Sequence, residues 1–174
     1  MANWGATWEA TRVLGRASSS SLEGMAVRYL CPEDELVYLA RHAANHMLGR
    51  VGWLYDLKLH LRAHPTLDWQ RVVAVAKEAG MPGPAFYALD AARRLVAAEV
   101  PPAALDALAP SRVAVTAARR LFSEEHLVAG YLADHKPLWA AAKVLLADRP
   151  SQVVLFAARR LVWNARRAAR RASA

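Results

Sequence analysis

Residues 32–56 read PEDELVYLARHAANHMLGRVGWLYD, and this stretch decides the fold. Pro32 suits the first position of a helix, because its φ is fixed and its missing N–H would have no partner there. The acidic residues 33–35 then place negative charge at the positive end of the helix dipole. Apolar residues recur at spacings of three and four and form one face directed at a core: Leu36, Leu39, Ala40, Ala43 and Met47. We predict a helix from Pro32 that ends at Gly49, a residue type common at helix C-termini.

A second helix is predicted from about Val51, with Trp53, Leu54, Leu57 and Leu61 directed inward. The short connection makes the two helices an antiparallel hairpin. His42 and His46 lie one turn apart beside the apolar face of the first helix, so their rings can point the same way. Asp56 is expected to approach them from the second helix. We therefore predict a central polar cluster of His42, His46, Asp56 and Trp53.

Three interpretations of this cluster remain open. Histidines at positions i and i+4 are a known zinc geometry, but no Glu directly follows the first His and a third ligand is not evident. A hydrogen-bond network between the histidines and Asp56 would instead tie the two helices together. The cluster could also face a nucleotide or an acceptor substrate. We favour the network and assign no metal ligand and no catalytic residue.

Length and composition indicate one helical domain. The chain has 174 residues, few glycines and no segment with a convincing period of two, so we predict an all-α fold, a compact bundle of about seven to eight helices joined as antiparallel hairpins. The single Cys31 cannot form an internal disulfide. A signal-peptide core and an apolar run of membrane-spanning length are both missing from the sequence, so we expect a cytoplasmic protein with no membrane partner.

The organisation along the chain is predicted from start and stop signals. Residues 1–28 are read as an N-terminal segment and linker, with a helix carrying Trp4 and Trp8 and then a flexible loop at Ser18 to Ser21. Residues 29–150 are read as the helical domain, and residues 151–174 as a basic amphipathic helix packed on it. Within the domain, the signals predict helices at 68–79, from Pro82, at 103–108, 111–121, 124–134 and 138–146.

The last predicted helix has a one-sided charge pattern. Its arginines fall within about 140° of arc when the helix is projected at 100° per residue. They supply most of the formal net charge of +8: Arg159, Arg160, Arg166, Arg167, Arg170 and Arg171. Clustered guanidinium groups can bind nucleic acid or another polyanion, but a charged face can equally be a solvated surface that keeps an Ala-rich protein soluble.

Three runs in fixed order carry a family resemblance: LCPEDELVYLARHAANH, VGWLYDLKLHLRAH and DWQRVVAVAKEAG. They resemble the C-terminal helical portion of the uncharacterised nucleotidyltransferase family, a polymerase-β-like group. The resemblance covers roughly Tyr29 to Val100. The matching residues are Pro32, Glu33, Asp34, His42, His46, Trp53, Asp56, Asp68, Trp69 and Gly80.

The resemblance also implies what this sequence lacks. Such transferases carry a Gly-Ser turn for the phosphates and an Asp-x-Asp pair for magnesium in a sheet-bearing domain, and neither motif occurs here. It therefore implies a non-catalytic helical accessory part that positions substrate or binds a partner. We expect a catalytic partner chain or a missing N-terminal half to complete it, and a Mg-nucleotide to bind only with that half. The alternative is a basic helical module that binds nucleic acid or another polyanion through the C-terminal arginines.

Overall fold

A computed structural model provides the structure, and it describes residues 10–128 and residue 144, with side chains from residue 13 onward. Over this range the chain forms helices and one short hairpin of strands. In chain order they are α1 (Ala10–Arg16), β1 (Ser18–Leu22), β2 (Met25–Tyr29), α2 (Pro32–Asn45), α3 (Val51–Ala63), α4 (Trp69–Glu78), α5 (Pro82–Val96), α6 (Pro102–Leu108), α7 (Arg112–Leu121) and α8 (Glu124–Val128). The prediction of a compact helical fold is confirmed.

The predicted hairpin of helices is α2 and α3, but α2 does not end at Gly49. The helix ends at Asn45. Two residues further on, the backbone of Met47 (φ 55°) and of Leu48 (φ 52°) adopts the left-handed conformation. The Leu48 N–H donates to the carbonyl of Ala43 at 2.8 Å. The side chains of both residues are buried. Burial of two large apolar side chains therefore offsets a backbone conformation that costs about 1–2 kcal/mol for a residue with a Cβ.

Helix α4 begins and ends as the sequence predicts. The Asp68 carboxylate accepts hydrogen bonds from the N–H groups of Gln70 at 2.9 Å and Arg71 at 3.1 Å, as an N-cap residue does. At the other end Gly80 has a φ of 65°, and its N–H donates to the carbonyl of Lys77. This left-handed glycine ends the helix.

Helix α5 is the central element of the fold. It packs against α2, α3, α4, α6 and α7. Every residue from Gly83 to Ala92 is buried, including the carboxylate residue Asp90. A helix that is covered on all sides has no polar face, which explains why its sequence, PGPAFYALDAA, is almost entirely apolar.

The prediction of a flexible loop at Ser18 to Ser21 is wrong, because these residues form strand β1. It pairs antiparallel with β2, with Ser18 opposite Tyr29 and Leu22 opposite Met25. Glu23 (φ 51°) and Gly24 (φ 80°) form the two-residue turn between the strands, and positive φ at both positions is typical of a type I′ turn. The strands are largely exposed on both faces, so no alternation of apolar and polar residues marks them in the sequence.

The later helices α6, α7 and the start of α8 match the sequence prediction, and the Ser111 side chain accepts a hydrogen bond from Ala114 N–H at the start of α7. The predicted helices at 138–146 and 151–174 lie outside the described residues, apart from residue 144. Among the described helices, none combines the length and apolarity needed to cross a membrane.

Candidate functional site

The structure brings together three of the four residues predicted to form the polar cluster. The ring centroids of His42 and His46 lie 4.7 Å apart on successive turns of α2. Trp53, in the first turn of α3, lies 5.5 Å from His42 with the rings edge to face, and 4.7 Å from His46 with the rings tilted by 36°. The tight turn after α2 causes this contact, since it sets the start of α3 against the end of α2.

Two further residues extend this group along the surface. Tyr38 lies one turn before His42 on α2, with its ring stacked at 6.5 Å. The guanidinium of Arg50 lies over the Trp53 ring, 5.6 Å from its centroid, within the range of a cation–π contact. We call Tyr38, His42, His46 and Trp53, together with Arg50, the ring strip. Its aromatic members Tyr38 and His46 are exposed, whereas Trp53 packs partly against the core.

Asp56 does not take part in the ring strip. Its side chain is exposed, and among the described residues it has no hydrogen bond or ion pair. It follows the buried Leu54 by two positions, which turns it about 200° around the helix, away from the core face. The favoured interpretation, a hydrogen-bond network between the histidines and Asp56, is therefore not what the described residues form. The two histidines of the predicted cluster are instead in ring contact with each other and with Trp53.

A buried carboxylate lies at the opposite end of α2. Asp34 has no exposed surface and accepts two hydrogen bonds from the Arg16 guanidinium, at 2.9 and 2.8 Å. The Cys31 thiol donates a third at 3.2 Å. Burial alone would raise the pKa of Asp34, but the hydrogen bonds from Arg16 and Cys31 and the charge of Arg16 lower it below its ordinary value. Burial raises the pKa of the Cys31 thiol, so it stays protonated.

Helix α3 is tied to the same end of α2 by a buried histidine. The Nε2 of His60 donates to the carbonyl of Pro32 at 2.9 Å, and its Nδ1 lies 4.0 Å from Glu35. Burial lowers the pKa of His60, which favours the neutral ring. This buried histidine ties α3 to α2, whereas Asp34 ties α2 to α1 through Arg16.

A second buried carboxylate joins α5 to α7. Asp90 accepts hydrogen bonds from Arg94 Nε at 2.9 Å and from the Arg119 guanidinium at 2.8 and 3.3 Å. Burial would raise the pKa of Asp90, but the hydrogen bonds from Arg119 and Arg94 lower it. The hydrogen bond to Asp90 in turn raises the pKa of Arg119. The sequence reading did not single out Asp90 or Arg119, because nothing local indicates a contact across 29 positions.

The buried carboxylates of Asp34 and Asp90 therefore both accept hydrogen bonds from arginines. Within the described residues, no group of three or more His, Cys, Asp and Glu side chains is arranged to hold a metal ion. The predicted polyanion-binding residues lie outside the described part of the chain: Arg159, Arg160, Arg166, Arg167, Arg170 and Arg171.

The described residues thus define a helical protein with a partly exposed strip of rings and buried carboxylates that are paired with arginines. The family of uncharacterised nucleotidyltransferases matches residues 4–97, more than half of the chain, and the chain belongs to this family. The match spans α1 to α5 and contains the whole ring strip, but it ends before α6. No curated protein and no solved structure matches the chain.

Proposed function

We propose that this chain is a non-catalytic accessory part of a nucleotidyltransferase-like protein, and that its ring strip positions a nucleobase or another flat ring for chemistry performed elsewhere. The observation that carries the proposal is the continuous arrangement of Tyr38, His42, His46 and Trp53, in which Tyr38 and His46 are exposed and the other two rings are partly buried. Stacked aromatic side chains are the usual receptor for bases, because every base has a π-face, and a neighbouring arginine adds a cation. Arg50 provides that cation beside Trp53.

The sequence and the geometry both support a role without catalysis. Metal-assisted nucleotidyl transfer needs carboxylates that converge on the metal ions from the protein side. The sequence has no Asp-x-Asp pair and no Gly-Ser turn. The buried Asp34 and Asp90 carboxylates already accept hydrogen bonds from arginines. A completing catalytic chain or segment would supply the metal ligands, and the helical part would hold the substrate.

We predict that millimolar nucleotide raises the melting temperature of the wild-type protein and that His46→Ala abolishes most of the increase. A ligand present at about ten times its Kd stabilises a protein by about 1.4 kcal/mol, which corresponds to roughly 3 °C for a domain of this size. Loss of one base–ring contact weakens binding about tenfold. Thermal unfolding with and without ATP, GTP, CTP and UTP, each with magnesium, measures this effect.

The matched control is Tyr55→Ala. Tyr55 is an exposed aromatic residue on α3 outside the ring strip, and the Lys58 ammonium lies 5.8 Å from its ring centroid. This variant should keep the full increase in melting temperature. If no nucleotide raises the melting temperature, or if Tyr55→Ala and His46→Ala lose the increase equally, the ring strip is not a base-binding surface.

The charge pattern of residues 151–174 favours a second candidate function, binding of nucleic acid. We predict that the chain binds duplex DNA with strong salt dependence and that replacing Arg166, Arg167 and Arg170 with glutamine lowers the slope of log K against log salt by about 3. A matched variant replaces the exposed Arg62, Lys77 and Arg120, which removes the same charge from the described helices. Titrations at several salt concentrations compare the two. Equal loss in both variants would mean that only net charge matters.

A further inference from the structure

A cleft of about 470 Å³ lies between α5, α6 and α7, outside the ring strip. Its volume is within the range of small-molecule sites. Helix α7 presents one face to it, because Arg112, Val115 and Arg119 are spaced by three and four residues. The part of the cleft formed by α6 and α7 lies beyond the family match, which ends at residue 97.

The cleft has a charged side and an apolar side. Arg93 from α5 and Arg112 and Arg119 from α7 supply guanidinium groups, and Asp106 is the one acidic residue among the described residues that line the cleft. The apolar side contains Phe86, Leu105 and Val115. A site with this division fits a molecule that has a charged end and a flat or apolar body.

The three arginines differ in how they are held. The Arg119 guanidinium donates two hydrogen bonds to the buried carboxylate of Asp90, and these bonds fix its orientation at the edge of the cleft. Arg93 and Arg112 form no ion pair with another described residue, so their charges are not neutralised within the described structure. Asp90 also pairs with Arg94, and the two arginines therefore retain one positive charge between them.

The net charge selects the ligand. Arg93, Arg112 and the Asp90 group together contribute three positive charges, and Asp106 removes one of them. A phosphate monoester carries a charge of about −1.5 to −2 at pH 7 and accepts paired hydrogen bonds from guanidinium groups. A carboxylate, with a single negative charge, would leave one positive charge in the cleft unmatched.

We propose that this cleft binds a phosphate monoester whose ester group is aromatic or apolar. The guanidinium groups of Arg93, Arg112 and Arg119 hold the phosphate, and Phe86, Leu105 and Val115 contact the ester group. The site is independent of the ring strip and of the proposed function.

The test is calorimetric titration of the full chain with phenyl phosphate, inorganic phosphate and phenol. We expect phenyl phosphate to bind at least tenfold more tightly than either of the other two, because only it uses both sides of the cleft. The variant Arg93→Gln/Arg112→Gln should weaken binding of phenyl phosphate at least tenfold. Arg119 is left unchanged in this variant because its loss would leave the buried Asp90 short of a partner.

The matched control is Arg62→Gln/Arg120→Gln, which removes the same charge from exposed positions outside the cleft. It should bind phenyl phosphate within twofold of wild type, and thermal unfolding of both variants verifies that they are folded. A second variant, Val115→Ala, should weaken the binding of phenyl phosphate and leave the affinity for inorganic phosphate unchanged. The proposal is overturned by an absence of saturable binding up to 10 mM, by equal losses in the two double variants, or by inorganic phosphate binding as tightly as phenyl phosphate.

Discussion

Replacing Asp34 with asparagine should lower the free energy of unfolding at pH 7 by about 3 kcal/mol, a large share of the stability of a small domain. Asp34 is fully buried and accepts hydrogen bonds from Arg16 and Cys31. Asparagine keeps the volume but not the charge, and the partly buried Arg16 guanidinium then keeps the longer ion pair with Glu78, at 3.9 Å, in place of its short contacts with a carboxylate at Asp34. Because 28% of the Arg16 side chain remains exposed, we place the cost at the low end of that for a broken buried pair.

The pH dependence distinguishes this loss from a general packing defect. The pKa of Asp34 is lower in the folded state than in the unfolded chain, so the unfolded state binds more protons between the two values. The carboxylate therefore contributes its full stability above the unfolded pKa of about 4, and the contribution is lost as the pH falls through the folded pKa. Urea unfolding from pH 7 down to pH 2.5 should show the difference between wild type and Asp34→Asn shrinking below about pH 4.

The matched control is Glu35→Gln, which makes the same chemical change one residue later in the same helical turn. The Glu35 side chain is 43% exposed and lies 4.0 Å from His60 Nδ1, so its loss removes a favourable contact with the helix dipole and a weak contact with His60, and it should cost less than about 1 kcal/mol. Arg16→Gln should reproduce most of the Asp34→Asn effect, and the double variant should cost less than the sum of the two. If Asp34→Asn lowered the free energy of unfolding only as much as Glu35→Gln, the buried ion pair would add no stability beyond the contact with the helix dipole.

The helices could be predicted because their boundaries depend on residues near in sequence. Pro32, Asp68 and Ser111 start helices through fixed φ or side-chain caps, and Gly80 ends one with a positive φ. Each of these effects acts within four residues of the helix end. A sequence pattern can therefore specify them without knowledge of the tertiary structure.

The features that the sequence reading missed depend on distant residues or on the backbone alone. Strand β1 pairs through its backbone with β2, and four serines in a row carry no side-chain signal for it. The left-handed Leu48 is stabilised by burial of its side chain, whereas the sequence offered Gly49 as the expected place for that conformation. Asp34 could have been found, since it lies one turn before the buried Val37 on the same face, but its partner Arg16 is 18 positions away.

The candidate site was predictable where helical spacing determines it. The spacing of four between His42 and His46 places their rings side by side, and the same spacing backward reaches Tyr38, which the reading overlooked. Trp53 joins them because the connection is short. The direction of Asp56 depends on the rotation of α3 about its own axis, which a spacing argument across two helices does not determine.

The contact between Asp90 and Arg119 should hold α7 to the rest of the protein. Within the described structure Ala118 is the one fully buried residue of α7, and Val115 and Leu121 pack against the core while partly exposed, so the ion pair adds to a limited apolar contact. The Arg119 guanidinium forms two hydrogen bonds with the Asp90 carboxylate on α5. Asp90→Asn should therefore lower the free energy of unfolding by about 2 kcal/mol, less than Asp34→Asn, because Arg119 is half exposed and stays hydrated.

The larger effect should be local. Without the ion pair, α7 can open while the core formed by α2, α3 and α5 stays folded, and the amide hydrogens of residues 112–121 should exchange at least tenfold faster, with little change in α3. Arg119→Gln should accelerate the same amides, whereas Arg120→Gln, the neighbouring exposed arginine, should not. Hydrogen exchange followed by mass spectrometry measures all three variants.

If exchange accelerates equally in α3 and α7, the ion pair stabilises the whole domain and does not specifically hold α7. If neither helix changes, apolar contacts through Ala118 and Phe122 suffice to hold α7, and the orientation of the cleft would not depend on Asp90.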